Sequence, residues 1–300
     1  MLLPSLPTQE KGIDMRLAGT RQSAVLILAI WIGWADLSAS AQTPAPEVRT
    51  GWKLVWSDEC NGPDGSPPDL AKWTFATGGG GWGNKEFETY TSRLENAEQR
   101  GGNLVITARK EDYVGLDGIE RPYTSARLTT KGQFAQAYGR FEARLQLPLG
   151  KGIWPAFWML GKDIDSVRWP AAGEIDVMEN IGEPRRIYST LHGPGYSGDK
   201  GISASYALPA GAAVNTGFHI YAVEWSPNDI KFFLDDRLIV ERTPKDLPPG
   251  TKWVYDHPFF LLLNVAVGGA WPGYPDETTV FPQRMLIDYV RVYKRDRERR

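Results

Sequence analysis

A chain of 300 residues with a formal charge of -2 and a hydrophobic fraction of 42% has room for one large all-β domain, or at most two smaller ones. That charge gives no basic face for nucleic acid. With 32 glycines and 22 prolines, long helices are disfavoured and strands joined by turns are favoured. The 12 tryptophans exceed what a core needs, although half or more are expected there. The single cysteine, Cys60, permits no internal disulfide. Its neighbours Asp58 and Glu59 would raise a thiol pKa, so a buried and unreactive thiol is expected.

In chain order, Arg16 and Arg21 precede an apolar run from Ala24 to Trp34, and Ala39-Ser40-Ala41 follows. This is the pattern of a secretory leader, 1–41, cleaved after Ala41, with Met15 as an alternative initiator. The competing reading is a permanent anchor, for which the run is short. Residues 42–50 read as a linker, 51–294 as one domain and 295–300 as a charged tail. Within the domain, Phe141, Ala143, Leu145 and Leu147 alternate with Glu142, Arg144 and Gln146, which predicts a strand with one apolar face. Phe218–Trp225, Ile230–Leu234 and Arg237–Glu241, separated by Pro227-Asn228-Asp229 and Asp235-Asp236, predict a three-stranded meander. Phe259–Val267 is apolar except for Asn264 and suits a strand covered on both sides, and Met285–Tyr293 alternates again. Strands at this spacing predict a two-sheet sandwich or a barrel.

The segment Gly173–Asn180, GEIDVMEN, carries three acids among apolar residues. Residues two apart share a face of a strand, so Glu174 and Asp176 point together and Glu179 has the wrong parity. One extra residue, a bulge near Val177-Met178, would return Glu179 to their face. Three acids on one face repel, so at least one pKa must rise. A retaining glycosidase needs this: one carboxylate attacks the anomeric carbon and a second, roughly 5–5.5 Å away, protonates the leaving oxygen. Asp176, between them, can hydrogen-bond either. A solvated acidic face and a calcium or magnesium site are the competing readings; ligands for such ions come mostly from loops, whereas this segment reads as a strand.

GEIDVMEN resembles the active-site signature of family 16 glycoside hydrolases, Glu-x-Asp-x-x-Glu, in its laminarinase-like branch; lichenase-like members have one residue fewer and no bulge. The resemblance runs from about 52 to 293 and takes in Trp56-Ser57-Asp58-Glu59, Gly83-Asn84-Lys85-Glu86, SARLTTKG from Ser125, GIWPAFWML from Gly152 and Phe259–Trp271. It implies a β-jelly-roll sandwich of two antiparallel sheets, concanavalin-like, with a concave sugar-binding cleft. It implies retaining endo-cleavage of β-1,3-glucan or mixed β-1,3/1,4-glucan, with Glu174 as nucleophile, Glu179 as acid/base and Asp176 assisting. No cofactor is required for that chemistry. Many relatives carry a structural calcium; the matching positions are Glu59, the Gly102 carbonyl and Asp288. Cys60 stands where relatives usually have Phe.

Trp154, Trp158 and Trp169 flank the acid strand and are candidate sugar platforms, with at least one expected in the core. Trp271 lies in a glycine-rich loop and can wall the cleft. The resemblance places His192 beside the acids and offers Asn84, Glu86, Arg127 and Asn264 as sugar hydrogen-bonders. His219 and His257 are read as structural. The expected partner is a β-glucan, met by a monomer that is secreted and not held in a membrane. Two alternatives stand beside it: a lectin of the same fold without catalysis, disfavoured by the presence of both glutamates, and a relative acting on agar or carrageenan. The few basic residues in the assigned cleft segments disfavour sulfated chains.

Overall fold

The computed structural model describes residues 49–296. The expected leader, most of the linker and the end of the charged tail lie outside the described residues. In chain order the strands are β1 Trp52–Asp58, β2 Thr74–Phe75, β3 Glu88–Tyr90, β4 Ala97–Arg100, β5 Asn103–Val114, β6 Glu120–Ser125, β7 Arg127–Thr129, β8 Gly139–Gln146 and β9 Ile153–Gly161. They continue as β10 Glu174–Glu179, β11 Arg186–His192, β12 Ile202–Ala207, β13 His219–Ser226, β14 Asp229–Leu234, β15 Arg237–Arg242, β16 Phe259–Val267 and β17 Gln283–Arg295. The one α-helix among the described residues, α1, is the single turn Ile164–Val167. No helix among them is long and apolar enough to cross a membrane.

The strands form two sheets. One runs β15-β14-β13-β8-β17-β5-β6-β3, with β1 on β17 and β4 on β5; the other runs β12-β11-β10-β9-β16-β7-β2. Pairing is antiparallel except between β3 and β6. The meander expected from residue 218 is β13-β14-β15. The result is a two-sheet sandwich, one of the two outcomes the strand spacing allows, with the jelly-roll form that the resemblance implies.

Alternation also assigns the faces. Phe141, Ala143 and Leu145 of β8 meet Phe157 and Met159 of β9, Ile175 of β10 and Leu261, Leu263 and Val265 of β16 in one core. All of these side chains are fully buried, and each contributes about 1.5–3 kcal/mol if large. That sum fixes β9, β10 and β16 edge to edge, so their outward residues become a rigid floor. Both sides of β16 are buried along its whole length, as its continuous apolar run requires. Cys60 is buried, and burial together with the charge of Asp58 pushes its thiol pKa well up, so it is inert as expected.

Candidate active site

Outward residues of β7, β9, β10 and β16 line a cleft of about 420 Å³. Alternation puts Glu174 and Asp176 outward and Ile175 in the core. The register then slips. Against β9, Asp176 stands opposite Trp158, Met178 opposite Phe157 and Glu179 opposite Ala156. The slip recurs against β11, and Ser189 Oγ donates to the Val177 carbonyl there, at 2.9 Å. Val177 is the inserted residue, so the bulge lies where parity demanded it. Without it Glu179 would face the core, where an unpaired charge costs several kcal/mol. With it, Met178 is fully buried and Glu179 lines the cleft. The two glutamates stand opposite Leu160 and Ala156, about four steps or 13 Å apart at the backbone, with Asp176 between.

Each acid has a fixed partner. Trp169 Nε1 donates to Glu174 Oε2 at 2.6 Å, and Trp154 Nε1 donates to Glu179 Oε1 at 3.0 Å. Asp176 shares a hydrogen bond with Glu174, and His192 Nε2 lies 3.1 Å from its Oδ2. One potential ligand atom each of Glu174, Asp176 and His192 falls within 4.8 Å of the others. A cation could use those atoms; the Glu174–Asp176 hydrogen bond is a proton's use of the same oxygens.

Burial raises all three acids. Glu174 is pushed up to about 8 by desolvation and then by the Asp176 charge. Asp176 is pushed up to about 7 by desolvation, against which its hydrogen bond from Glu174 works. Glu179 is driven well above the carboxylate range by desolvation and by the charges of Asp176 and Glu174. Glu179 therefore keeps its own proton, while Glu174 and Asp176 hold one between them. One neutral acid and one shared-proton pair is the division of labour that retaining hydrolysis uses.

The same shifts set a stability cost. The folded chain holds protons that the unfolded chain releases above its ordinary values of 3.8 and 4.5. Stability is thus fully present below about pH 4 and is lost as pH rises through about 7 to 8. Glu179→Gln removes one of the three groups. Its thermal midpoint is expected to exceed that of the parent by roughly 2–4 °C per kcal/mol recovered at pH 8, with little gain at pH 4. Calorimetry at both pH values checks this; equal gains at both would contradict it.

At the other end of the cleft, Asn84 Nδ2 donates to Glu86 Oε1 at 3.0 Å and the Tyr90 hydroxyl donates to Oε2 at 3.1 Å. Asn264 Nδ2 donates to Tyr90 at 3.1 Å, while Asn264 Oδ1 accepts from Trp158 Nε1 at 2.7 Å. The Arg127 guanidinium is held 4.6 Å from the rings of both Trp82 and Trp158, a double cation–π clamp. Asn84, Glu86, Arg127, Trp154, Trp158, Trp169 and Asn264 all line the cleft. The expectation that one of the three flanking tryptophans is core is corrected: all three line it, and Trp73 and Trp225 fill the core instead. Trp271 is exposed and stands edge-on to Trp154, ring centroids 5.5 Å apart, and to Tyr188 at 4.9 Å. His192 lies behind Asp176. Sequence reasoning missed Trp82, whose signal was its place in Gly80-Gly81-Trp82-Gly83, where it takes a φ of 46° between glycines of positive φ. His219 and His257 lie apart, on Asp235 and Asp163.

The residues matched to a calcium do not present an open oxygen cage. Both Glu59 oxygens accept from Arg291, at 3.1 and 2.7 Å, and Asp288 Oδ2 accepts from Arg144 at 2.6 Å. A cation there would have to displace two guanidiniums, and Gly102 adds only a backbone carbonyl. Calcium enters no step below.

The family described as glycosyl hydrolases family 16 matches residues 83–291. A β-glucanase of Rhodothermus marinus is 41% identical over 289 residues, covering 93% of this chain and 97% of that protein. The laminarinase catalytic domain of Thermotoga maritima superposes with a TM-score of 0.77 at 51% identity, covering 81% of this chain and 98% of that one. The endo-β-1,3-glucanase of Pyrococcus furiosus superposes with a TM-score of 0.77 at 47% identity, over 81% and 94%. By sequence and by fold, this chain belongs to family 16 of the glycosyl hydrolases.

Proposed function

We propose that the chain is an endo-1,3-β-glucanase that cleaves laminarin-type glucan, and mixed β-1,3/1,4-glucan, with retention. The observation that carries this reading is the bulge that brings a neutral Glu179 and the proton-sharing pair Glu174–Asp176 into one aromatic cleft. Glu174 is the nucleophile, Glu179 the acid/base and Asp176 the assisting acid. The glucan lies along β7, β16, β9 and β10 with its apolar faces on Trp158, Trp154 and Trp169 and its hydroxyls toward Asn84, Glu86, Arg127 and Asn264.

The steps follow from the proton positions. Glu179 gives its proton to the glycosidic oxygen as that bond breaks. The proton shared by Glu174 and Asp176 passes from Glu174 to Asp176, next to His192, and the ionised Glu174 attacks the anomeric carbon to form a glycosyl ester. Glu179, now a carboxylate, takes a proton from water; the water oxygen attacks the same carbon and Glu174 leaves. Two displacements on one carbon retain its configuration. Trp169 and Trp154 keep the two carboxyls aimed throughout, so little reorganisation accompanies charge transfer.

The leader pattern supports action outside the cytoplasm, free of the membrane, after cleavage near Ala41. The assay is digestion of laminarin, barley mixed-linkage glucan, carboxymethyl cellulose and agarose by the purified mature protein. Short laminari-oligosaccharides are expected early in the digest, at the same rate after exhaustive chelation, since no step uses a metal. Cleavage of agarose alone would move the substrate to a galactan. Laminarin binding without cleavage would replace the enzyme with a lectin.

A further inference from the structure

Glu88 is an acid that the mechanism above does not use. It lies at the start of β3, is fully buried, and its Oε2 accepts from the Val267 amide at 2.6 Å. Its Oε1 is equally buried and receives no N–H or hydroxyl hydrogen bond among the described residues. The carboxyl is in hydrogen-bond contact with Glu86. Both oxygens of Glu86 already accept, from Asn84 and from Tyr90, so Glu86 acts as an acceptor only. Two carboxylates in contact inside a protein cannot both carry charge.

We propose that Glu88 is a neutral carboxylic acid whose O–H donates to Glu86 and positions it for a sugar hydroxyl. A carboxylate offers about four acceptor sites. Asn84, Tyr90 and Glu88 take three and leave one for the cleft. The arrangement also joins two elements: Glu88 ties β3 to the end of β16 through Val267, and Phe87 N donates to the Val267 carbonyl at 2.8 Å. That junction carries the loop of Trp271, whose Ala270 amide donates to Asn84 O at 2.8 Å. Glu88 therefore acts through Glu86 as a positioning residue.

The charged groups around it do not offer another partner. Arg121 of β6 lies close enough to feel Glu88 but is engaged by both oxygens of Asp117, at 3.0 and 2.6 Å. Arg127 of β7 is clamped between Trp82 and Trp158 and bears on Tyr90. Glu86 and Tyr90 complete the set. Burial raises Glu88 well above the carboxylate range, and the Glu86 charge raises it further.

The inference rests on the reading of this end of the cleft as a glucan contact, and the test separates the two. In the Glu174→Gln background, Glu88→Gln is isosteric: its carbonyl can accept from Val267 and its amide can donate to Glu86. Infrared difference spectra at pH 7 are expected to show a neutral carboxylic acid band in the parent that Glu88→Gln removes. Calorimetric titration with laminaritetraose is expected to give an unchanged Kd for Glu88→Gln and one raised about tenfold for Glu88→Ala, the cost of one hydrogen bond to a charged group. Loss of a carboxylate band instead of an acid band, or equal weakening by Gln and Ala, overturns the proposal. An unchanged Kd in Glu86→Ala would instead overturn the glucan contact itself, with the acid band still present.

Discussion

Truncation of Glu174 to alanine is expected to lower laminarin hydrolysis by at least about 10⁴-fold, while affinity for oligosaccharide changes little. Glu174 bonds to the anomeric carbon only as the transition state is approached, so its loss falls on kcat rather than on ground-state binding. The alternative explanation, a damaged fold, is disfavoured by the electrostatics. The three acids are each raised by burial, and removing one relieves the remaining two. Two groups lose a partner: Asp176, which keeps His192 Nε2 at 3.1 Å, and Trp169 Nε1, on a residue that is 48% exposed, where water can replace the carboxylate. Azide supplies the decisive measurement. It fits the space that the carboxylate vacates and attacks from the same face of the sugar. With an aryl β-laminaribioside, azide is expected to restore turnover and to yield the α-glycosyl azide, identified by its anomeric proton coupling. A β-product, or a variant that still hydrolyses laminarin at parental rate, would remove Glu174 from the nucleophile's role.

How far the sequence led to this site depends on which physical constraint acted at each residue. Parity along β10 was enough to require a bulge at Val177-Met178, because only two outcomes exist for a strand residue and one of them buries Glu179 in the core. Alternation similarly placed Phe141, Ala143 and Leu145 inside and marked β16 as doubly covered. Period tells a residue's face but not its partner. Trp169 was legible as a platform for sugar, yet the structure also gives its indole N–H to Glu174. Asp288 entered only through the resemblance, as a calcium position, and nothing local announced its pairing with Arg144, which stands 144 residues away in sequence. Glu88 sits in a three-residue strand too short for periodicity, and its burial is decided by Val267, 179 positions on. Trp82 lies in a glycine-rich turn where neither helical nor strand period operates. The pairing of β3 with β6 in parallel is likewise a long-range choice that local alternation does not encode.

Glu179→Ala is expected to behave differently from the nucleophile variant, and the difference separates the two roles. Loss of a general acid costs roughly 10²–10⁴-fold, and the loss should depend on the leaving group. Laminarin departs as a sugar alkoxide and needs the proton; a dinitrophenolate does not. Glycosyl-enzyme formation from a dinitrophenyl laminaribioside should therefore stay close to parental rate, while its hydrolysis, which needs Glu179 as base, becomes limiting. The kinetic sign is a burst of dinitrophenolate followed by slow turnover. Azide then attacks the Glu174 ester from the face that water uses, and the expected product is the β-glycosyl azide, opposite in configuration to that from Glu174→Ala. An equal loss on laminarin and on the dinitrophenyl substrate would argue that Glu179 shapes the cleft instead of moving a proton. The structure favours proton transfer. Trp154 already fixes the carboxyl at 3.0 Å, and burial with two neighbouring acids keeps Glu179 protonated. Its pKa is therefore set first by its own burial and then by the charges of Asp176 and Glu174. Once the Glu174 charge is consumed in the ester, part of that upward push disappears, so Glu179 becomes a stronger acid and is more readily ionised at the step that requires a base.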